Sequence, residues 1–441
     1  MPMPLSRRRF LWLTSAAASL SVTRVAAQRA RGGSNAAAVP PSIASLPSMR
    51  EQARPITNDE RQARIDTARR LMADHKLDAI LLTGGTSLLY FAGMRWGNSE
   101  RLFAVILPAK GDPFCVCPAF EEDRAREQLA SGPLARTEVR TWQEDESPFE
   151  RLAQGLKDHR VGSGRLGIEE TTKFVFGDGV ASAAPGLHLT SATPVTAGCR
   201  MIKDRHELEL MRLASHVTLR AYEAVYHALS EGMTQSQVGT LMSAAYARLG
   251  FPGFASVQID RYTALPHGSI APQTIREGTI IMIDDGCSVE EYQSDVTRTF
   301  VLGKATDKMK KVFEIVQRAQ TAALKAARPG AALEAIDAAA RKVIVDAGYG
   351  PAFKYFTHRV GHGLGMDGHE WPYLVKNNMF GWTKSPTLQP GMVLSDEPGV
   401  YIRGEFGVRL EDDMYITESG AELFTPQSPS IEEPFGAATN R

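Results

Sequence analysis

Residues 279–302 read TIIMIDDGCSVEEYQSDVTRTFVL, and this stretch determines the fold of the second half of the chain. Two β-type runs, 280–284 and 292–301, are joined by a short turn-type segment, a pattern that predicts an antiparallel hairpin. Because Asp284 and Asp295 are equidistant from its midpoint, we expect them to be cross-strand neighbours on one face, with Cβ atoms roughly 5 Å apart. Two carboxylates at that distance repel each other unless a positive charge lies between them.

A divalent cation would supply that positive charge. Hard oxygen ligands that face each other across a hairpin form half of a two-metal carboxylate site. A single pair of aspartates leaves a second interpretation open, in which one carboxyl group is protonated or turned to solvent. The choice therefore depends on whether the rest of the chain supplies further ligands.

Two later segments supply such residues. In the segment 357–370, THRVGHGLGMDGHE, glycines flank His362 and let the backbone approach a crowded centre. A neutral imidazole is a good ligand for first-row metals. In the segment 394–399, LSDEPG, Pro398 biases Glu397 toward an extended conformation and helps to fix the direction of its carboxylate. Both segments therefore favour the metal interpretation of the hairpin.

A third segment, GVRLEDD at 407–413, reads as a strand. Its two-residue period places Arg409 and Glu411 on one face. The sequence then offers five candidate metal ligands: Asp284, Asp295, His362, Glu397 and Glu411.

The motifs that contain these residues resemble the creatinase, prolidase and methionine aminopeptidase superfamily. They are D-x-G at Asp284, S-D-x-T-R-T at 294–299, G-H-G-x-G, E-P-G and V-R-x-E-D, in this order over roughly 130 residues. The first lobe and an Arg200-x-x-Lys203 segment are similar to the prolidase and aminopeptidase P branch, so the resemblance covers nearly all of 56–425. It implies an α+β fold, in which a smaller α/β creatinase-like domain precedes a pita-bread catalytic domain, a curved antiparallel sheet flanked by helices.

The resemblance also implies a role for each ligand: Asp284 chelates one metal ion, His362 and Glu397 bind the other, and Asp295 and Glu411 bridge the pair. Four carboxylates balance two divalent ions, and a hydroxide that bridges the ions would be the nucleophile. Glu397 is the candidate to accept and relay its proton. The mixed ligands allow manganese, cobalt, zinc or iron, and the resemblance favours manganese.

Four further residues match functional positions of the family. His267 and His369 match histidines that stabilise the tetrahedral intermediate by donating to its negative oxygen or to the substrate backbone. His358 and Arg409 match residues that contact the proline side or the carboxylate of the substrate, and the planar guanidinium suits a carboxylate. The alternative for Arg409 is a partner that holds Glu411 in place.

These matches predict a peptidase that cleaves the bond before proline. A dipeptidase (prolidase) is favoured over an aminopeptidase P acting on longer peptides, and the choice depends on whether a loop blocks the site beyond the second residue. A methionine aminopeptidase would have the same metal ligands, but such an enzyme acts on nascent chains. The large first lobe and the export signal argue against that role. Creatinases share both lobes but resemble enzymes that lack the metal ligands, whereas all five are present in this chain. A non-catalytic peptide-binding module on the same fold is expected to have lost them. The resemblance also implies a homodimer.

The first lobe shows alternating helical and buried β-type stretches and is predicted to be α/β. Its segment TGGT at 83–86 follows a strand but lacks the spacing of a phosphate-binding loop. The lobe contains no catalytic cluster, so we expect it to wall the active site or to mediate association. Predicted helices are at 58–75, 121–130 and 149–158, and predicted strands are at 79–82, 103–107 and 114–117.

The N-terminus reads as an export signal. Arg7, Arg8 and Arg9 precede an apolar stretch and small residues at 25–27, and the segment 6–11, SRRRFL, resembles a twin-arginine signal. A periplasmic or secreted protein is therefore expected; the alternative is an uncleaved membrane-anchoring helix. The predicted divisions are an export signal (1–27), a flexible leader (28–55), the N-terminal domain (56–198), the catalytic domain (199–430) and a tail (431–441).

Composition excludes other classes. The 50 basic and 50 acidic residues cancel, so no net field attracts nucleic acid, and nucleic-acid binding is not expected. Beyond the signal no apolar run approaches the roughly 20 residues of a membrane span, so stable membrane association is not expected after signal removal. Four scattered cysteines are too few for a disulfide scaffold and are predicted to be buried.

Overall fold

The computed structural model describes residues 39–376 and 387–436. The predicted signal 1–27, the leader up to residue 38 and the tail from residue 437 lie outside the described residues. Residues from 42 onward belong to one compact unit. Within the described residues no helix has the length and apolar character needed to cross a membrane.

The first lobe is a six-stranded mixed sheet covered by helices on both faces, as predicted for an α/β domain. The strand order is β4-β3-β2-β1-β5-β6; β2 is antiparallel to both its neighbours and the other pairs are parallel. The strands are β1 (Ala79–Thr83), β2 (Ala104–Pro108), β3 (Phe114–Pro118), β4 (Glu138–Trp142), β5 (Arg165–Ile168) and β6 (His188–Ser191). After α1 (Pro41–Ala44), the helices are α2 (Asn58–Asp74), α3 (Thr86–Ala92), α4 (Glu122–Ser131), α5 (Pro148–Asp158), α6 (Phe174–Ala183) and α7 (Thr193–Met201).

Alternation along the central strands builds two cores in this lobe. In β1, Ile80 and Leu82 pack on one face of the sheet, whereas Ala79 and Leu81 pack on the other. All four side chains are buried, because helices cover both faces. Helix α2 begins after Thr57, whose side chain forms a capping box with Glu60.

The second lobe has antiparallel strand pairings throughout its described part, flanked by helix pairs α8/α9 and α10/α11. This is the α+β arrangement predicted for the pita-bread domain. The helices are α8 (Arg205–Tyr226), α9 (Gln235–Leu249), α10 (Asp307–Ala326) and α11 (Leu333–Asp346). The strands are β7 (Ser256–Ile259), β8 (Ile280–Asp284), β9 (Ser288–Val289), β10 (Tyr292–Gln293), β11 (Arg298–Val301), β12 (His362–Gly363), β13 (Glu370–Tyr373), β14 (Val393–Asp396), β15 (Gly399–Ile402), β16 (Phe406–Arg409), β17 (Asp412–Ile416) and β18 (Ala421–Leu423).

The predicted register of the 280–301 hairpin is wrong. Strand β8 pairs with β11 so that Ile283 is opposite Arg298, which places Asp284 beside Thr297 rather than directly across from Asp295. The reason lies in the connection: residues Glu290 and Glu291 adopt positive φ values of 46° and 73°, so β9 and β10 form a small hairpin of their own. The predicted strand 292–301 is therefore divided: its first residues, in β10, belong to the inner hairpin, and only β11 pairs with β8.

The structure also differs from the expected flexible leader over residues 42–55. Ile43 and Leu46 are buried in the core formed by α8 and α9, and the Ser42 hydroxyl donates to the Ala224 carbonyl at 2.8 Å. The Met49 N–H donates to the Leu249 carbonyl at 2.9 Å. Isolated apolar residues in an otherwise polar segment gave no periodic signal of this packing. The four cysteines are buried and free, as predicted.

Candidate active site

A cavity of about 690 Å³ in the second lobe brings all the predicted site residues together. The five candidate metal ligands come from separate strands or the turns that follow them, so antiparallel packing is what assembles the cluster. Asp284 ends β8, Asp295 follows β10, His362 begins β12, Glu397 follows β14, and Glu411 lies between β16 and β17. His267, His358, His369 and Arg409 also line the cavity.

The ligand atoms form overlapping clusters of the size that a metal ion needs. Atoms of Asp284, Asp295 and Glu411 lie within 4.8 Å of one another, as do atoms of His362, Glu397 and Glu411. The His362 Nε2 is 3.3 Å from a Glu397 oxygen and 3.8 Å from an Asp295 oxygen. The shared position of Glu411 agrees with the bridging role that the resemblance implies.

The charges in the cavity fit divalent cations. Burial, and then repulsion from neighbouring carboxylates, raises the pKa values of Asp295 and Glu411 well above the ordinary range. Burial alone would also raise the pKa of Glu397, but the hydrogen bond with His362 and the charges of nearby groups lower it instead. Carboxylates packed this closely are stabilised by positive charge, and mixed oxygen and imidazole ligands suit divalent first-row metals.

The orientation of His362 is set by its other ring nitrogen. Nδ1 lies 3.1 Å from the Gly363 carbonyl, which orients the ring so that Nε2 faces the carboxylates. The Ser395 hydroxyl accepts from the His362 N–H at 3.0 Å and donates to Glu397 Oε1 at 3.2 Å. Ser395 is a supporting residue that the sequence interpretation missed, although it lies two residues before Glu397 in the same motif.

Thr297 is a second supporting residue that was missed. Its hydroxyl contacts a carboxylate oxygen of Asp284 and lies 2.6 Å from Glu411 Oε2, so it links two candidate ligands. The available signal was its position two residues after Asp295 in a strand-type stretch. Asp413 supports a single ligand through its backbone, because it accepts from the Asp295 N–H and from the Ser215 hydroxyl, each at 3.0 Å.

Arg409 is held by protein groups. Its Nη2 forms an ion pair with Asp284, and its Nη1 donates to the Pro266 carbonyl and the Tyr401 hydroxyl, each at 3.0 Å. Its Nε donates to the Thr297 hydroxyl at 3.1 Å. These contacts favour the alternative in which Arg409 positions ligands. It pairs with Asp284, and its Nε lies 3.8 Å from Glu411 Oε2. A substrate contact by Arg409 stays a prediction.

Asp285 follows Asp284 directly, and regular strand alternation predicts that its side chain turns to the other face, away from the site; this prediction is wrong. Asp285 has a φ of 100°, which breaks the alternation, and its carboxylate lines the same cavity, where it accepts from the Ser256 N–H at 3.2 Å. Burial, followed by repulsion from Asp284, raises the pKa of Asp285 to about 6. Asp412, in contrast, points into the interior and pairs with the buried Arg298 at 2.6 Å.

The three candidate catalytic or substrate-binding histidines differ in how firmly they are held. His358 Nε2 is 2.8 Å from the Tyr401 hydroxyl and its Nδ1 is 2.7 Å from the Arg359 carbonyl, so the ring is fixed on both sides. His369 stacks on His362 with ring centroids 3.6 Å apart. His267 is exposed on the cavity wall.

The tautomer of His369 follows from its neighbour. Arg359 Nη2 lies 3.4 Å from His369 Nδ1, and because a guanidinium only donates, Nδ1 accepts and Nε2 carries the proton. Desolvation, followed by the proximity of His362, lowers the pKa of His369 to about 4. The ring is therefore neutral at pH 7 and has one N–H to donate.

The metal-free protein is expected to lose thermal stability as the pH rises. Burial, and then repulsion from neighbouring carboxylates, raises the pKa values of Asp295 and Glu411 well above normal. For Asp413, burial is the largest cause, and the pKa is raised to about 8. A carboxylate with a raised folded-state pKa stabilises the fold at low pH, and this contribution is lost as the pH rises through that pKa. Tm of chelator-treated protein should thus fall between about pH 5 and pH 8, and less steeply in Asp295→Asn. A Tm that rises over this interval would contradict the charge account.

Comparison with known proteins agrees with this geometry. The sequence model of metallopeptidase family M24 matches residues 209–418, and that of the creatinase/prolidase N-terminal domain matches residues 64–202. The chain is 33% identical to the probable dipeptidase PepE of Mycobacterium tuberculosis, over 81% of this chain and 92% of that protein. It is 29% identical to the Xaa-Pro dipeptidase of Lactobacillus delbrueckii subsp. lactis, over 83% of this chain and 98% of that protein.

This chain is also similar in fold and in sequence to a solved structure. Dipeptidase PepE from Mycobacterium ulcerans superimposes with a TM-score of 0.79 at 31% identity, covering 86% of this chain and 99% of that one. The fold and the clustered carboxylates and histidines define a metal-dependent peptidase preceded by a creatinase-type domain. The chain belongs to metallopeptidase family M24. The superfamily resemblance predicted from the five motifs is confirmed.

Proposed function

We propose that the protein is a two-metal dipeptidase that cleaves the bond between a first residue and proline. The observation that carries the proposal is the convergence of five candidate metal-ligand side chains with three further histidines in one cavity. Similarity to an Xaa-Pro dipeptidase over most of both chains supports the choice of substrate. Aminopeptidase P activity on longer peptides is the second candidate.

The residues of this chain divide the work of the reaction. Two bound divalent ions would supply a water of lowered pKa and a Lewis acid for the scissile carbonyl, and Asp284, Asp295, His362, Glu397 and Glu411 would hold them. The lowered pKa of Glu397 keeps its carboxylate ionised. The Ser395 hydroxyl donates to its Oε1 at 3.2 Å and orients the carboxylate, which would accept the proton of the water.

The histidines would act on the substrate. The neutral His369 donates Nε2–H to the oxygen that becomes negative in the tetrahedral intermediate, where a fixed donor is most effective. His358, held by Tyr401 and the Arg359 carbonyl, presents a fixed ring to the proline side. His267, exposed on the wall, is placed to contact the substrate backbone.

Substrate length tests the choice between the two peptidase activities. The metal-loaded mature protein should release alanine from Ala-Pro and should act much more slowly on Ala-Pro amide, Ala-Pro-Ala and Ala-Ala. Removal of the carboxylate charge in the amide tests recognition of the free C-terminus without a change in size. Equal rates on Ala-Pro and Ala-Pro-Ala would establish the aminopeptidase instead, and equal rates on Ala-Ala would contradict proline specificity.

We also propose manganese as the native metal and a homodimer as the assembly. Manganese accepts the mixed oxygen and imidazole donors of the cluster. Large apolar side chains of the first lobe are exposed and available for association, among them Phe120 and Phe174 at 64% and 85% exposure. Metal analysis of protein purified from its native host and light scattering in solution test the two proposals; another metal or a monomer would contradict them.

Export is a further part of the proposal. The arginine-rich N-terminus followed by an apolar stretch supports passage through the twin-arginine pathway, which exports folded proteins. Activity should then appear in the periplasmic or secreted fraction, and an Arg7→Lys, Arg8→Lys double variant should remain inside the cell. Cytoplasmic activity of the unaltered chain would contradict the proposal.

A further inference from the structure

The loop that carries His369 lies between two cavities. This segment, residues 364–369, is called the His369 loop here and connects β12 to β13. On one side is the active-site cavity, and on the other is a cavity of about 370 Å³ between the two lobes. His369 lines both of them. The start of the loop is fixed by its own lobe, because Leu364 is buried in the core and the Gln293 N–H donates to the Gly365 carbonyl at 2.7 Å. The His369 end, in contrast, has open space on either side.

Polar groups outside the second lobe contact the His369 end of the loop. Arg200, on α7, forms ion pairs with both Asp367 and Glu370, and its Nε donates to Glu370 Oε2 at 3.1 Å. The Thr86 hydroxyl, at the start of α3, lies 2.6 Å from Asp367 Oδ1. The guanidinium therefore contacts residues on both sides of His369.

Burial makes the contacts to Glu370 specific, whereas the Asp367 side chain is 42% exposed. The side chains of Arg200, Lys203 and Glu370 are 12%, 1% and 7% exposed, and Lys203 Nζ lies 2.7 Å from Glu370 Oε1. Burial alone would raise the pKa of Glu370, but the two cations outweigh it and lower the pKa, so the carboxylate stays charged. A charged pair with little water around it has few alternative geometries, since each lost contact leaves a buried charge unpaired.

We propose that Arg200 and Thr86 are positioning residues that hold His369 in place for the reaction. They act through Asp367 and Glu370, which flank the histidine, and keep its ring stacked on His362 at 3.6 Å. A displacement on the order of 1 Å in a catalytic group can lower a rate by about a hundredfold. The first lobe and the connecting helix α7 thus set the geometry of a residue in the second lobe. This proposal rests on the proposed role of His369 in peptide hydrolysis.

Arg200→Gln and Thr86→Val test the proposal in the metal-loaded enzyme. Both should keep the metal content, and kcat on Ala-Pro should fall by about tenfold to a hundredfold for Arg200→Gln and by less for Thr86→Val, with small changes in KM. Arg140→Gln is the matched control. Arg140 is 15% exposed and pairs with Glu138 and Asp158 in the first lobe, so its loss should leave kcat unchanged.

A second background separates positioning from a general structural effect. In His369→Ala protein, Arg200→Gln and Thr86→Val should change the residual kcat by less than about twofold, because the group that they position is gone. Hydrogen exchange should also increase in residues 364–370 of the Arg200→Gln protein and not in β7 and β8. If Arg200→Gln does not fold, the same comparison of kcat with and without His369 can be made with Thr86→Val, which removes only one hydroxyl.

The outcomes distinguish this inference from the proposed function. If the unaltered enzyme does not cleave Ala-Pro, the proposed function fails, whereas the exchange experiment still reports whether the contacts hold the loop. If the unaltered enzyme cleaves Ala-Pro but the variants keep full kcat, the positioning role is wrong. An equal loss in kcat with and without His369 would also overturn it.

Discussion

Asp295→Ala and Glu411→Ala are each expected to remove both the bound metal and the hydrolysis of Ala-Pro. Glu411 belongs to both ligand clusters, and Asp295 joins one of them and lies 3.8 Å from His362 of the other, so each substitution should affect both ions. Loss of the several kcal/mol that a metal supplies to the transition state corresponds to a rate decrease of at least about a thousandfold. Metal content by atomic emission and release of alanine, measured on the same samples, check the prediction.

A control carboxylate makes this result specific. Glu422 lies on β18 in the same lobe and is exposed, so Glu422→Ala should retain metal and activity. A protein that loses Asp295 but still binds two ions and cleaves Ala-Pro would show that this residue is not a bridging ligand.

His369→Ala is expected to keep the metal and lose turnover. The neutral imidazole has one N–H to direct at the developing negative oxygen, and removal of such a donor lowers kcat by roughly a hundredfold to a thousandfold. Metal analysis is essential here, because atoms of Asp295, His362 and His369 also lie within 4.8 Å of one another. Loss of metal in this variant would identify His369 as a ligand instead.

The matched control for this variant is His188→Ala. His188 is exposed on β6 of the first lobe, and its removal should leave both metal content and kcat unchanged. Full activity of His369→Ala would remove the residue from the mechanism, and with it the reason for the positioning role of Arg200.

The members of the carboxylate and histidine cluster could be predicted from sequence because their chemistry is local to each motif. Carboxylates and histidines beside glycine or proline, in a fixed order, indicate a metal site even when their spacing in three dimensions is not known. The hairpin register could not be predicted in the same way. Composition marks 286–291 as a turn but does not reveal that Glu290 and Glu291 adopt positive φ, which forms the inner hairpin and shifts the pairing of Asp284.

Contacts between segments that are distant in the chain also could not be predicted from sequence patterns. Arg200 and Glu370 are 170 residues apart, and no periodicity in either segment indicates that they meet. The strand pattern predicted Glu411 as a partner of Arg409, and Arg409 Nε lies 3.8 Å from Glu411 Oε2. Its ion pair with Asp284, on the separate strand β8, gave no such signal. Residues 42–55 show the same limit, since Ile43 and Leu46 become buried only when α8 and α9 are in place.

The central claim is that Ala-Pro hydrolysis depends on two divalent ions held by the carboxylate and histidine cluster. The most direct measurement is the rate of alanine release from Ala-Pro as manganese is added back to chelator-treated protein, with bound metal quantified at each point. The account predicts no activity without metal and full activity once two ions are bound per chain. Full activity in metal-free protein, or none with two ions bound, would contradict it.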